Sequence, residues 1–204
     1  MPGRLFLTRP LAEVAQAAGM APPAGGPDDG PRPNIAPGQE VTALTAGGFR
    51  RMRWGLIPQG RRNARGRPVM ETLVNARSET LFDKTAFAGL HRAAVPVDGW
   101  YEWTGARGRK TAWAIRDSGG DTLWMAAVWD VWQAPGGVEV AQFATVTCAP
   151  NADIAPVHER MGVILTRDCV DAWIAGAEEE ARALMVPWPE GRLSVARTQD
   201  PNAA

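Results

Sequence analysis

The sequence predicts an α+β protein: a curved, mainly antiparallel β-sheet with a barrel-like core and short helices packed outside it. Three observations lead there. Strand-like stretches fill most of 93–147, at 93–103, 111–116, 122–132 and 138–147, and glycine-containing turns join most of them. Helical periodicity is confined to short segments. No stretch repeats and no domain boundary is visible, so residues 1–204 are expected to form one domain.

In order along the chain, 3–8 reads as a short strand. Pro10 suits the first turn of a helix; Leu11, Val14, Ala15 and Ala18 share one helical face, and Gly19 can end it. Residues 20–33, rich in Pro, Gly and Asp, read as a loop. The block Asn34-Ile35-Ala36-Pro37-Gly38 reads as a turn. Strands are expected at 40–44 and 49–55 around Ala46-Gly47-Gly48, followed by a loop over 58–68. Leu81, Phe82, Ala86, Phe87 and Leu90 predict a helix over 80–90. The four strands follow, then another at 161–165. Thr166 is placed to cap a helix whose apolar positions Val170, Trp173 and Ile174 recur at helical spacing, with the pattern continuing towards Met185.

Composition excludes some classes of function. Twenty arginines stand against two lysines, Lys84 and Lys110, and there are nine tryptophans. The planar fork of arginine suits phosphate and carboxylate, although a GC-rich genome is the plainer source of the bias. A formal net charge of zero argues against a protein that coats duplex DNA, but leaves room for a local basic groove. Arg50, Arg51, Arg53, Arg61, Arg62, Arg65 and Arg67 follow one another with no carboxylate between them. That run reads as a footprint for a phosphate backbone, or as a solvated loop balanced by acids elsewhere. Cys148 and Cys169 form no CxxC and no His/Cys cluster, so no metal and no cofactor is expected. Two scattered cysteines fit a reducing cytosol. Neither a signal peptide nor a run of about eighteen apolar residues is present, so no membrane partner is expected.

A few residues have the chemistry of a site. Glu102 lies in the strand-like Asp98-Gly99-Trp100-Tyr101-Glu102-Trp103. With period two it shares a face with Trp100, while Tyr101 and Trp103 face the other way. A carboxyl beside indole rings loses hydration and its pKa rises, which makes a candidate acid or base near neutrality; an edge glutamate between core tryptophans is the alternative. His158, in His158-Glu159-Arg160-Met161, can shuttle protons or be a structural histidine. His91 is placed to favour a helix C-terminus. Asn75 and Arg77 are two apart, so in an extended segment they share a face that could fix a polar substrate and a phosphate, or they serve a turn. Cys148 reads as a buried thiol, and Gly3-Arg4 alone carries no message.

Taken in order, these blocks resemble the SOS response-associated peptidase family of abasic site processing proteins. The family pattern runs Met-Cys-Gly-Arg, Asn-hydrophobic-Ala-Pro, Trp-Gly-Leu-hydrophobic-Pro, Asn-Ala-Arg-x-Glu, Gly-Trp-Tyr/Phe-Glu-Trp and His-Asp/Glu-Arg-Met-Pro. Here it is met by Gly3-Arg4, Asn34 through Pro37, Trp54 through Pro58, Asn75 through Glu79, Gly99 through Trp103 and His158 through Met161. The resemblance implies self-removal of Met1 and covalent reaction of the exposed N-terminus with the ring-opened aldehyde of an abasic site in single-stranded DNA. It implies that Glu102 is the acid/base that opens the sugar and assists methionine removal, that Asn75 orients the sugar, and that His158 assists Schiff-base chemistry and its reversal. It further implies that Arg4, Arg77 and Arg160 hold phosphates and that Thr147 contacts DNA. A cytoplasmic, nucleoid-associated monomer that acts in the SOS response to DNA damage is expected.

Three departures stand out. Pro2 takes the place of the family's cysteine, Gln59-Gly60-Arg61-Arg62 replaces tryptophans often found there, and Gly162 replaces the proline after Met161. Without a thiol at residue 2 no thiazolidine can close. A secondary amine still condenses with an aldehyde, and its iminium remains an electron sink that favours β-elimination. The expectation is therefore a Schiff-base former or abasic-site lyase with Pro2, Asn75, Glu102 and His158 at its centre. The alternatives are a degenerate paralogue that only binds single-stranded DNA, and a cysteine peptidase that would need Cys148 near His158 in an exposed, electropositive place.

Overall fold

The computed structural model describes residues 2–22, 30–59, 64–66, 70–106, 108–134 and 136–202. Met1, residues 23–29 of the 20–33 loop, and Arg61, Arg62 and Arg67 of the arginine run lie outside the described residues. The chain opens with β1 (Arg4–Leu7), α1 (Leu11–Ala17), β2 (Arg32–Ile35), β3 (Glu40–Thr45), β4 (Gly48–Trp54) and β5 (Asn75–Arg77). It continues with β6 (His91–Val97), β7 (Gly99–Thr104), β8 (Thr111–Asp117), β9 (Leu123–Gln133) and β10 (Glu139–Cys148). It ends with β11 (Met161–Gly162), β12 (Ile164–Leu165), α2 (Val170–Ala175), α3 (Glu178–Leu184) and β13 (Leu193–Thr198).

Two sheets result. The smaller runs β13-β8-β7-β1-β2, and all its pairs are antiparallel. The larger runs β11-β10-β4-β3-β6-β9-β12, and β10 also pairs with β9, which closes β10-β4-β3-β6-β9 into a barrel and removes those edges. The parallel contacts in this sheet are β10 with β4 and β10 with β5. The main core fills the space inside and between the sheets and includes Trp54, Trp100, Phe143 and Trp173. Phe6, Tyr101 and Ala114 form a second cluster with Trp103 on the other face of the smaller sheet. The strand alternation read from the 98–103 block is thus realised: Trp100 belongs to the main core, Tyr101 and Trp103 to the other cluster.

One expected strand, 93–103, is two. The chain turns at Asp98 from β6, in the larger sheet, to β7, in the smaller. Asp98 is buried and fixes the corner: its Oδ2 accepts the Thr8 amide at 2.7 Å and the Thr8 hydroxyl at 2.6 Å, and Arg9 pairs with Oδ1 at 2.7 Å. Gly99 is required there, because a Cβ would stand 1.9 Å from the Ile115 carbonyl oxygen and 2.5 Å from Phe6. This corner starts the strand that carries Glu102.

Other expectations are corrected. No α-helix forms over 80–90; the segment folds as 3₁₀ turns at Ser78–Thr80 and Thr85–Phe87. Leu81 is buried, and Phe82, Phe87 and Leu90 pack against the core without a continuous helical face. Lys84 is extended, with φ −86° and ψ 130°, which interrupts the segment, and the β-branched Thr80 and Thr85 lower its helical preference. His91 therefore sits at no helix end; it begins β6 with its ring 5.1 Å from that of Trp129. Asn34 and Ile35 lie on a strand, not in the turn that follows. The 161–165 strand divides at Val163 so that β11 pairs β10 and β12 pairs β9. Gly162 fits that crossing: a Cβ would meet the Met125 Cε at 2.8 Å. Thr166 precedes a 3₁₀ turn and makes no side-chain cap, and the helical pattern beyond it breaks at Gly176 into α2 and α3. Strand β13 is an addition the sequence reading did not contain.

Candidate functional site

Pro2 is buried, two residues ahead of β1. The register of β1 on β7 pairs Arg4 with Tyr101, Leu5 with Trp100 and Phe6 with Gly99. One further step sets Gly3 opposite Glu102, so the head of the chain runs alongside the carboxyl. From the larger sheet, β5 brings Asn75, whose Nδ2 donates to the Pro2 carbonyl at 3.1 Å. The loop that leads into β11 brings His158.

The electrostatics follow from this enclosure. Glu102 is only 4% exposed, and burial pushes its carboxyl up to about 7. The charge and hydrogen bond of the α-ammonium group at the head of the chain act against that rise. The same group, after burial, lowers the pKa of His158. Both residues therefore feel the α-ammonium charge of Met1, one as a carboxyl pushed up towards neutrality and one as an imidazole kept neutral. The His158 Nδ1 lies 2.9 Å from the Arg160 amide nitrogen and 3.1 Å from the Arg160 carbonyl oxygen. A neutral ring accepts from the amide and carries its proton on Nε2, whereas an imidazolium donates to the carbonyl. Proton exchange at His158 is thus held by one backbone residue in either state.

Of the four residues expected to be catalytic, Asn75 meets Pro2 directly, Glu102 lies across from Gly3, and Glu102 and His158 share the influence of the Met1 α-ammonium. Those expected to meet DNA are not equally ready. Arg77 is exposed on β5 and has no ion pair among the described residues. The Arg4 Nε donates to the Asn202 Oδ1 at 2.9 Å. The fork of Arg160 is filled: it binds both carboxylate oxygens of Glu79, at 2.5 and 2.9 Å, and donates to the Thr147 carbonyl at 2.6 Å. Thr147 is wholly buried, and its hydroxyl reaches the Ala76 carbonyl at 3.3 Å. In this arrangement Thr147 holds Arg160. The arginine run is also partly satisfied. Arg51 pairs with Glu40 across the strands at 3.3 Å, Arg50 covers Trp129 at 4.9 Å, and Arg53 donates to Gln142 at 2.9 Å.

A family model described as SOS response associated peptidase (SRAP) matches residues 1–200. The chain belongs to this family. Abasic site processing protein YoqW of Bacillus subtilis is 29% identical over 152 residues, 71% of this chain and 66% of that protein. Abasic site processing protein HMCES of Gallus gallus is 28% identical over 158 residues, 66% of this chain and 47% of that protein. The match thus spans just under two thirds of the bacillary relative and about half of the avian one. A crystal structure of a Bacteroides thetaiotaomicron protein shares the fold, with a TM-score of 0.81 at 20% identity, covering 97% of this chain and 92% of that one.

Within this SRAP fold, Cys148 does not make a cysteine nucleophile. It is 2% exposed, and burial raises its thiol to about 11, the reverse of an activated cysteine. Among the described residues no group of three or more His, Cys, Asp or Glu could hold a metal, and no helix is long and apolar enough to cross a membrane. A groove of about 770 Å³ between Phe82, Phe87, Trp129 and Ile174 lies apart from the four residues. Its aromatic faces are already taken, since Arg182 covers Phe82 as Arg50 covers Trp129. Sequence reading missed Glu79 as the partner of Arg160, although it closes the Asn-Ala-Arg-x-Glu block, and Thr145, whose contact with Asn75 no spacing announces.

The Arg160–Glu79 pair makes a stability prediction. The Arg160 guanidinium holds the Glu79 carboxyl down to about 2. A depressed carboxyl stabilises the fold above its ordinary pKa near 4.5, and that contribution fades as pH falls from 4.5 towards 2. Glu79 is half exposed, so solvent screens much of it. The buried bonds to Thr147 are screened less. Arg160→Ala is expected to cost about 1.5–3 kcal/mol in urea unfolding at pH 7, and less at pH 3, where the Glu79 share is fading. A loss that is the same at both pH values would show that the ion pair contributes nothing.

Proposed function

We propose that this protein processes abasic sites in single-stranded DNA through the secondary amine of Pro2, exposed by self-removal of Met1, and that it works as one domain. The observation that carries this reading is the bond from Asn75 to the Pro2 carbonyl, with Gly3 set opposite Glu102 by the β1–β7 register. Its likeness to the abasic site processing proteins YoqW and HMCES supports it.

The chemistry is as follows. The Pro2 nitrogen lone pair adds to the C1′ aldehyde carbon of the ring-opened sugar, and the carbonyl π pair moves to oxygen. Glu102, near neutrality, takes the proton from the C1′ hydroxyl and returns one to the ring oxygen as the sugar opens. It then protonates the carbinolamine hydroxyl, which leaves as water and gives an iminium. The iminium nitrogen has no proton to lose, so it draws electrons from the C2′–H bond. A base, His158 or Glu102, accepts that proton. The enamine pair then expels the 3′ phosphate, breaking the C3′–O bond. Water adds to the unsaturated iminium, frees Pro2 and leaves an unsaturated aldehyde on the DNA. Arg77 holds a backbone phosphate, and Arg4 joins it on leaving Asn202.

Borohydride reduces an iminium to a stable amine and so tests the proposal. Protein whose intact mass shows loss of Met1 is expected to give a covalent adduct with abasic single-stranded DNA, and without borohydride to cut the strand 3′ to the lesion. The apparent binding constant should fall with salt at a slope of about −0.7 per phosphate contacted. The proposal fails if protein with a verified Pro2 terminus yields neither adduct nor cleavage. Salt-dependent binding without either would leave a binding module.

A further inference from the structure

Thr145 lies on β10 directly beside Asn75 on β5, in parallel register, with 0% exposure. It touches no solvent and has no titratable group, yet its hydroxyl is 2.5 Å from the Asn75 Oδ1 and 3.4 Å from the Val74 carbonyl. A hydroxyl carries one proton. With the Asn75 oxygen turned towards Thr145 that proton has the nearer acceptor, and the amide nitrogen points the other way. That nitrogen is the one bonded to the Pro2 carbonyl. The opposite amide orientation would put two oxygens face to face at Pro2 and leave the Thr145 proton only the longer contact with the Val74 carbonyl.

We infer that Thr145 is a positioning residue: its hydroxyl fixes the polarity of the Asn75 amide, and through it the first peptide plane and the pyrrolidine nitrogen of Pro2. The inference rests on the Pro2 reading for its effect on chemistry. For its effect on Asn75 it stands alone. The chain Thr145 Oγ1 to Asn75 Oδ1, then Asn75 Nδ2 to Pro2 O, links a buried strand of the barrel to the reacting terminus. Two hydrogen bonds thus aim the amine without touching it, and the ordered amide spares the terminus a search among orientations before attack.

Three variants test this. Thr145→Val keeps the shape and removes the hydroxyl; Thr145→Ser keeps the hydroxyl and removes the methyl. At saturating abasic single-stranded DNA, Thr145→Val is expected to slow borohydride-trapped adduct formation roughly tenfold, with the half-saturating DNA concentration unchanged. Thr145→Ser should stay within about threefold of the parent protein. In an Asn75→Ala background, Thr145→Val should cost nothing further, because the group it orients is gone. The Asn75 side-chain amide resonances should move in Thr145→Val and hold in Thr145→Ser. The inference is overturned if Thr145→Val reacts at the parental rate, if Thr145→Ser is as slow as Thr145→Val, or if the Asn75 resonances stay put. A parent protein that traps no DNA while those resonances behave as expected sinks the Pro2 reading and leaves the amide's orientation to Thr145.

Discussion

Glu102→Gln is expected to lower the rate of borohydride-trapped adduct formation at pH 7 by at least about 100-fold, the range a positioned general acid or base supplies. Glutamine keeps the shape of the side chain but can neither give nor take a proton. The pH dependence should change with it. Burial pushes the Glu102 carboxyl up to about 7, so its acid form persists through neutrality and is lost above it. The parent rate should therefore fall above pH 7 as the proton donor ionises, and that limb should vanish in Glu102→Gln.

Stability should move the opposite way. In the unfolded chain this carboxyl ionises near 4.5, and in the folded protein near 7. Folding then takes up a proton between those values, and the penalty for burying the charge grows from pH 4.5 and is complete above 7. Glutamine pays none of it, so Glu102→Gln should melt higher than the parent at pH 8 and no higher at pH 4. Trapping at the parental rate would remove Glu102 from the mechanism; a lower melting temperature at pH 8 would show that the carboxylate is better satisfied than its raised pKa implies.

Pro2→Cys should produce the other large effect: an adduct that survives without borohydride. The terminus would then offer a primary α-amine and a thiol on adjacent carbons. After the amine forms its imine, the thiolate adds to the same carbon and closes a five-membered thiazolidine, with no leaving group lost and the imine pair moving to nitrogen. The parent protein has no second nucleophile at residue 2, so its iminium must hydrolyse or eliminate. The expected result is a denaturation-resistant protein–DNA band with Pro2→Cys and abasic single-stranded DNA, at most a trace with the parent, and loss of strand cleavage in proportion. If Pro2→Cys, with Met1 removed, forms no lasting band, the pocket does not bring the terminus to the aldehyde, and the enzyme reading goes with it.

Much of the site was legible in the sequence. The Trp100-Tyr101-Glu102-Trp103 alternation predicted a carboxyl held against the core, and the structure buries Glu102 on the Trp100 face. Asn75, His158 and Pro2 were expected at one place from the family pattern; the fold sets Asn75 of β5 against the Pro2 carbonyl, and burial and then the α-ammonium of Met1 lower the pKa of His158. What failed was local. The 80–90 helix was inferred from apolar spacing, but that spacing serves 3₁₀ turns that seat Leu81 in the core. The 93–103 strand looked continuous because both sheets bury its side chains; only the space at Gly99 and the bonds to Asp98 show where it changes sheet. The sequence also does not announce that Arg160 pairs with Glu79 and with the Thr147 carbonyl.

By itself the sequence determined the residue types of the site, the mainly antiparallel strand-rich fold and the absence of a thiol beside the initiator methionine. These depend on side-chain chemistry and on periodicities of two and 3.6, which are local and written in the chain. Only the tertiary structure decided which groups face the terminus, which arginines remain open and which way the Asn75 amide points. Pro2, Asn75, Glu102, Thr145 and His158 come from strands and loops far apart in the chain. Their burial, pKa values and hydrogen-bond polarity arise only when two sheets exclude water around them.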